Sequence, residues 1–475
     1  MIPNKEKDLS AWYIELVQQA DLMDYSAIKG FYIYKPYLYD MWEKYKSSLE
    51  AEIRKEGVQD AYFPILIPES LLKKEVEHIE GFTPEVAWVE RAGDKKLEER
   101  YAVRPTSETI MYYSYSKWIH SYKDLPLKLN QWNNMVRWET KETRFLLRQR
   151  ENLWQEGHSA FKTAEEADKD ARKMLEIYSK IIKDLLAIPF FAGRKSESEK
   201  FAGAVTSYTL ETIFDNGYAA QIATSHYLGQ NFSKAFDIKF LNENNQWEYV
   251  YQTSWGTSTR LLGAMIIIHS DNTGLILPPK IAPIQFVIIP IIYSEEDKSL
   301  KSLELSKLIF EKIKSFGFSC KLDDSLEKTP GWKYNEYELK GIPFRISVGE
   351  KEVLSREISI KRRFDGKIFN IKVDELSKEF LEELIEKTQT EMYEKAQAKI
   401  NKLVQKVKDS NLAIDLLKLN KPLIVSWCNE IECEKHIKDL TGATSRVILD
   451  DSPEEKVCVF CGNKARVTAL FAKSF

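Results

Sequence analysis

Between Lys128 and His158 the chain alternates arginines, carboxylates and tryptophans, and no other stretch constrains its fold as tightly. From Lys128 to Glu139 a strand would send Arg137 and Glu139 to the face opposite Trp132, Asn134, Val136 and Trp138. A polar loop, Thr140–Arg144, leads into a second extended run from Leu146, in which Arg148, Arg150, Trp154, Glu156 and His158 share a parity. Two strands joined by a short loop are most simply antiparallel. Such a hairpin gathers guanidinium and carboxylate groups among indoles. A half-buried cluster of that kind is costly unless a ligand or internal partners satisfy it. The interleaved tryptophans make a merely solvated charged face the weaker reading.

The rest of the chain supplies helices and further strands. Leu9, Trp12, Tyr13, Leu16, Val17 and Ala20 form one helix stripe, and a second helix starts at Pro36 and stops at Gly57. Ala61–Ile67 reads as a strand whose Pro64, with Pro68 after it, suits an edge. Ser254–Arg260 is polar and aromatic and leads into the apolar segment Leu261–Ile268, predicted as a buried helix with Arg260 at its start. The helix dipole disfavours a cation there unless an anion is nearby. After Pro278-Pro279 the pattern becomes strand, helix, strand (Phe286–Tyr293, Leu300–Phe316, Ile342–Val348), a small α/β domain. A long amphipathic stretch, Leu376–Val407, bridges to the tail.

With 475 residues the chain has room for about three domains. Its 69 basic and 72 acidic residues leave a formal charge of -3, so nucleic-acid binding would need a local basic patch. The longest apolar runs fall short of the ~20 residues that cross a bilayer, and Met1–Leu9 is polar, so a cytoplasmic protein without membrane attachment is expected. Four of the five cysteines crowd into the last 48 residues, as Cys428 and Cys433 and then Cys458 and Cys461. In a reducing compartment two close thiol pairs read as a tetrahedral Zn²⁺ site.

These residues, taken in order, resemble one family: the class II prolyl-tRNA synthetases of the archaeal and eukaryotic type. Arg104-Pro105-Thr106-Ser107-Glu108 resembles its proline-binding loop. Arg137-Trp138-Glu139 with Arg148 and Trp154–His158 resembles class II motif 2, and Ser254-Trp255-Gly256 through Arg260 resembles motif 3. Ala223–His226 with Leu228–Ser233 resembles a further block. Pro330–Lys333 and Glu338–Pro343 resemble the anticodon-binding domain, and the cysteines its C-terminal zinc domain.

The resemblance implies an α+β multidomain chain: a class II antiparallel sheet flanked by helices over 1–280, an α/β anticodon-binding domain over 281–385, and a C-terminal helix and small zinc-bearing domain over 386–475. It implies a proline–tRNA ligase that forms prolyl-adenylate from proline and ATP and passes proline to tRNA(Pro), with Mg²⁺ accompanying ATP. Arg137 and Arg260 would be catalytic. Thr106, Glu108, Arg137, Trp154, Glu156, His158 and His226 would hold proline. Arg137, Glu139, Arg148, Gln221, Thr224, Ser258 and Arg260 would hold ATP, with Gln221 also on Mg²⁺. Motif 1, near Ile53–Pro68, implies a homodimer. Another class II synthetase, for threonine, and a catalytically silent tRNA-binding relative are the rival readings.

Some positions depart from the family pattern. Asn152 stands where an aromatic residue packs on adenine, Ser270 replaces a glycine, and Phe475 replaces a terminal tyrosine. Only about a hundred residues separate Glu151 from Ser254, which leaves no room for the large editing insertion of bacterial-type enzymes. For tRNA, Lys351–Lys367 carries six basic residues against three acidic ones, and Arg362 and Arg363 are expected to face it.

Overall fold

The computed structural model describes residues 2–78, 85–138, 142–292 and 297–475. The predicted alternation builds one end of an eleven-stranded sheet. Strands Leu127–Val136 and Glu151–Phe161 pair antiparallel, with Gln131 opposite Glu156 and Leu129 opposite His158. Strands Tyr251–Ser258, Ala219–Gly229, Thr206–Ile213 and Phe191–Arg194 follow, each antiparallel to its neighbour. The short strand Gln59–Asp60 adds a parallel edge beside Leu127–Val136.

Alternation then divides the work between the two faces of this sheet. On one face Gln155 accepts from the Tyr178 hydroxyl (2.5 Å), and the Ser225 hydroxyl donates to the Ala171 carbonyl (2.7 Å). Both partners lie on the helix Ala164–Leu186, whose start is fixed by a reciprocal Thr163–Glu166 capping box. Trp255 lies over Gly157 across this face: a Cβ there would sit 2.1 Å from the indole, so only glycine fits. Trp154, Glu156, His158, Thr224 and His226 belong to the other face and line a cavity. The helices Leu9–Gln19, Pro36–Ile53 and Arg260–His269 complete the core; Leu261–Ile267 is wholly buried, as predicted.

Two local expectations are corrected. Ala61–Ile67 is not one strand: Gln59–Asp60 and Leu66–Pro68 belong to different sheets, and the break contains Pro64. Leu146–Arg150 is not extended. Phe145, Leu146 and Leu147 plunge into the core, Leu146 adopts φ 60°, and Arg144 and Arg148 close a tight turn through mutual backbone hydrogen bonds. The second strand therefore begins at Glu151, and Arg148 sits on a turn.

The α/β unit carries a five-stranded sheet in the order Cys320–Leu322, Phe286–Pro290, Phe344–Val348, Glu357–Arg362, Ile368–Lys372, parallel over the first three strands. Helix Lys378–Leu403 leaves it and runs through the boundary expected at 385. In the tail, Leu423–Trp427, Val467–Ala472 and Thr444–Asp450 form an antiparallel ribbon that joins the large sheet where Ile448 meets Arg194. No helix among the described residues is long and apolar enough to cross a membrane.

Candidate active site

The cavity on the open face of the large sheet has a volume of about 300 Å³ and brings together Thr106, Glu108, Arg137, Trp154, Glu156, His158, Gln221, Thr224, His226, Ser258 and Arg260. Eleven of the residues expected from sequence therefore share one hollow, although they come from five separate segments. Arg148 is exposed on its turn and lines an adjoining hollow with Arg144 and Phe475. Glu139 lies outside the described residues. Asn152 is buried beside Gln149, to whose carbonyl it donates (3.1 Å), and is not part of the wall. Phe475 packs edge-on against Phe214 (4.9 Å), beneath the Arg144 guanidinium, a contact that needs no hydroxyl.

One end of the cavity is built to receive a cation. Glu108, in the first turn of helix Glu108–Trp118, accepts from the Thr106 hydroxyl. Glu156 is buried and collects the Ser107 N–H (3.2 Å) and hydroxyl, the Gln131 amide (3.1 Å) and the Asn133 amide (2.6 Å). Burial alone would raise the Glu156 carboxyl, yet His158 and these donors hold it below the usual range. Burial likewise opposes the His158 imidazolium, but Glu156, 3.4 Å away, and Glu108 outweigh it and raise its pKa. His226 differs: burial, then the neighbouring His158 and Lys195, push it down to about 3, so it is neutral. Its Nδ1 meets the Ser207 hydroxyl at 2.8 Å and its ring stacks on Phe201.

The other end is built to receive an anion. Arg137 Nε donates to the Pro105 carbonyl (3.3 Å), and Arg260 Nε donates to the Leu147 carbonyl (3.1 Å). Among the described residues neither guanidinium has a carboxylate partner within ion-pair distance. Loss of water, followed by repulsion from Arg137, lowers Arg260 to about 10. Converging guanidinium groups held only by carbonyls form a site for phosphate or carboxylate. Gln221 donates through Nε2 to Thr209 (3.0 Å), which orients its amide at the cavity wall.

Sequence reasoning missed Lys195, Glu199, Phe201 and Ser207, which complete the wall. Residues 195–205 have no regular secondary structure and hence no periodicity to read.

In the α/β unit Arg362 and Arg363, expected from sequence to face tRNA, are both engaged by side chains of the protein itself. Arg362 is fully buried: it donates to Asp365 (2.9 and 2.6 Å), to Glu391 and to Thr388 (3.2 Å). Arg363 reaches back to Asp271 (3.0 and 2.7 Å) and Thr273 (2.9 Å), tying this unit to the turn that follows helix Arg260–His269. Each guanidinium already makes four hydrogen bonds, which leaves one of its five N–H groups for any other partner. The cavity beside them, about 270 Å³, is also lined by Tyr334, Glu338, Lys361 and Arg345; the Arg345 guanidinium stacks 3.8 Å over Tyr334, and its buried Nε has no hydrogen-bond partner among the described residues.

In the tail, Cys428, Cys433, Cys458 and Cys461 converge with their sulfurs within 4.8 Å of one another. Two of the separations are 3.9 and 3.7 Å. Tetrahedral Zn²⁺ with Zn–S bonds near 2.3 Å requires about 3.8 Å. The donor set and its spacing fit that ion.

Comparison with known proteins agrees with this geometry. The family model for the tRNA synthetase class II core domain (G, H, P, S and T) matches residues 88–269, that for the anticodon binding domain 285–383, and that for the prolyl-tRNA synthetase C-terminal region 413–475. The proline–tRNA ligase of Symbiobacterium thermophilum is 43% identical, covering 100% of this chain and 98% of the relative. That of Borrelia garinii subsp. bavariensis is 44% identical, covering 100% and 99%. The crystal structure of prolyl-tRNA synthetase from Cryptosporidium parvum, complexed with halofuginone and AMPPNP, superposes with a TM-score of 0.94 at 39% identity, covering 100% and 99% of the two chains. Its complex with L-proline and AMP gives 0.93 at 38%, covering 100% and 96%.

Proposed function

The chain belongs to the prolyl-tRNA synthetase family of class II synthetases, and from that premise we propose how its cavity works. It is a proline–tRNA ligase: it joins proline to ATP as prolyl-adenylate, releasing pyrophosphate, and transfers proline to tRNA(Pro). The observation that carries the mechanism is the polarity of the cavity, with buried Glu108 and Glu156 at one end and, at the other, Arg137 and Arg260, which have no carboxylate partner among the described residues. Proline carries a secondary ammonium and a carboxylate, so it spans those two ends.

Glu108 and Thr106 accept the ammonium, and Trp154, His158 and His226 enclose the ring. Glu156 keeps His158 and Ser107 in place. The carboxylate is already ionised at neutral pH, so its oxygen attacks the α-phosphorus without a general base. Arg137 bridges that carboxylate and the α-phosphate, neutralising the charge that grows as pyrophosphate departs. Arg260 flanks the nucleotide with Thr224 and Ser258, and Glu139 belongs to the same ATP site. Arg148, close enough to contribute to the lowered pKa of Arg260, takes the distal phosphates. Mg²⁺ bound with ATP would neutralise phosphate charge, and the carbonyl oxygen of Gln221 is the protein ligand suited to it. The tRNA contact assigned from sequence to Arg362 and Arg363 moves to the cavity of Tyr334, Arg345 and Lys361, where a base can stack and a phosphate can be held. A change at Arg345 would register in tRNA charging and leave pyrophosphate exchange untouched.

The finer assignments are part of the same reading. The chain is of the archaeal and eukaryotic type, supported by the short Glu151–Ser254 interval and the four-cysteine tail, and it works in the cytoplasm. Its working divisions are 1–280, 281–385 and 386–475. It is a homodimer: in the motif 1 region Tyr62 is 71% exposed and Ile65 also reaches solvent, with Trp118 beside them 50% exposed. The cysteines hold one structural Zn²⁺. Native mass spectrometry reads both claims at once, with two chains and two zinc ions per particle expected. Single chains, or particles free of zinc with all four thiols open to alkylation, would contradict them.

A further inference from the structure

The residues that wall the cavity at 195–201 owe their position to the tail. This segment leaves strand Phe191–Arg194 and stays irregular until Thr206, so side-chain ties must hold it. On the cavity side the Phe201 N–H donates to the Ser207 hydroxyl (2.9 Å), and its ring lies 4.7 Å from that of His226. The Lys195 N–H donates to the Ser207 carbonyl (2.8 Å) and the Phe201 ring also stacks on Phe232, and a further set of ties runs to the C-terminal domain. Lys195 Nζ donates to the Arg446 carbonyl (2.9 Å), 251 residues away, and to Glu211 (2.6 Å). Arg446 grips the same Glu211 carboxylate from the other side (3.2, 3.1 and 3.0 Å), and its Nη1 lies 3.7 Å from Glu199. The Ser198 hydroxyl donates to Glu434, whose other oxygen accepts the Ser445 N–H at 2.8 Å. Backbone approach is equally close: a Cβ on Gly193 would lie 2.1 Å from the Ile448 carbonyl oxygen.

Two cations, Lys195 and Arg446, thus balance two carboxylates, Glu211 and Glu199, in a setting where Glu211 has no exposure. Removing one cation leaves a surplus buried negative charge, which the segment must relieve by moving toward water. Phe201 would move with it and loosen its stack on His226. Arg137 lies beyond strand Leu127–Val136 and shares no hydrogen bond with these residues; Arg260, at the start of helix Arg260–His269, shares none either but feels the charges of Glu211 and Arg446 through space.

We propose that Arg446 and Glu434 of the C-terminal domain are positioning residues for proline: they fix the wall Lys195–Phe201 against His226, so that proline affinity depends on the tail. The inference rests on the reading of this cavity as the proline site. Steady-state proline-dependent ATP–pyrophosphate exchange on the full chain tests it. Arg446→Ala should raise KM for proline about tenfold, more than it raises KM for ATP, with kcat within about threefold. Arg446→Lys, able to engage one carboxylate oxygen, should recover part of that loss. Ser198→Ala, which removes only a hydroxyl at the surface, should raise KM for proline about two- to threefold while the melting curve stays that of wild type. Unchanged proline KM in a folded Arg446→Ala overturns the proposal, as does a loss confined to kcat. If Arg446→Ala does not fold, unchanged proline KM in Ser198→Ala overturns it. Absence of exchange in the wild type would instead overturn the reading of the cavity itself.

Discussion

Replacing Arg137 with alanine should lower kcat/KM for proline-dependent pyrophosphate exchange by about 10³-fold, equivalent to about 4 kcal/mol of transition-state stabilisation. The side chain is half-buried, and among the described residues its guanidinium hydrogen-bonds only to Pro105, so the fold should not notice the loss. What disappears is the fork that can hold the attacking carboxylate and the α-phosphate together. Burial of the anionic end makes each guanidinium count for more than at the surface. Lysine at 137 restores charge without the fork and should recover only part of the rate. A loss smaller than tenfold in Arg137→Ala, with the variant folded, would remove Arg137 from the centre of the mechanism.

Glu156→Ala should cost stability as well as activity. The change strands the Ser107 N–H and hydroxyl, the Gln131 and Asn133 amides and one His158 nitrogen, all in or beside a buried site. Removing one partner of such a network costs about 3–5 kcal/mol, measurable by urea unfolding at pH 7. Because the folded carboxyl titrates below its unfolded value, the stabilisation is complete above the unfolded pKa and fades only as pH falls through the folded one. The gap between wild type and variant should therefore hold from neutrality down to about pH 4.3 and narrow below it. His158 acts with the opposite sign: its raised pKa contributes stability below about pH 6.5 that fades as pH rises through the folded value. A gap under 1 kcal/mol at pH 7 would mean that solvent already satisfies the donors.

What was legible in the chain was whatever a short window could carry. Period-two alternation gave the strands under Trp154, Glu156 and His158, and the polar-to-apolar step at Arg260 gave a buried helix. Arg148 was misread because the same parity continued through a stretch where three buried apolar residues, Phe145–Leu147, turn the chain inward. The ion pairs of Arg362 and Arg363 were not legible, because counting charges within Lys351–Lys367 could not register Glu391 and Asp271, which reach them from other elements. Lys195 and Glu199 were missed for a related reason: their meaning comes from Arg446, beyond any local pattern. The four cysteines were legible because the two short intervals that carry them can each be read directly, and the fold needed only to bring the pairs together.

The account stands most directly on which amino acid the cavity activates. ATP–pyrophosphate exchange with each of the twenty amino acids, using the purified full chain and Mg²⁺, should give its highest kcat/KM with proline. Smaller amino acids should trail, since one methylene of pocket contact is worth only about 1–3 kcal/mol. Exchange that proline does not support, under conditions where a control synthetase works, or that threonine supports better, would contradict the assignment of this site.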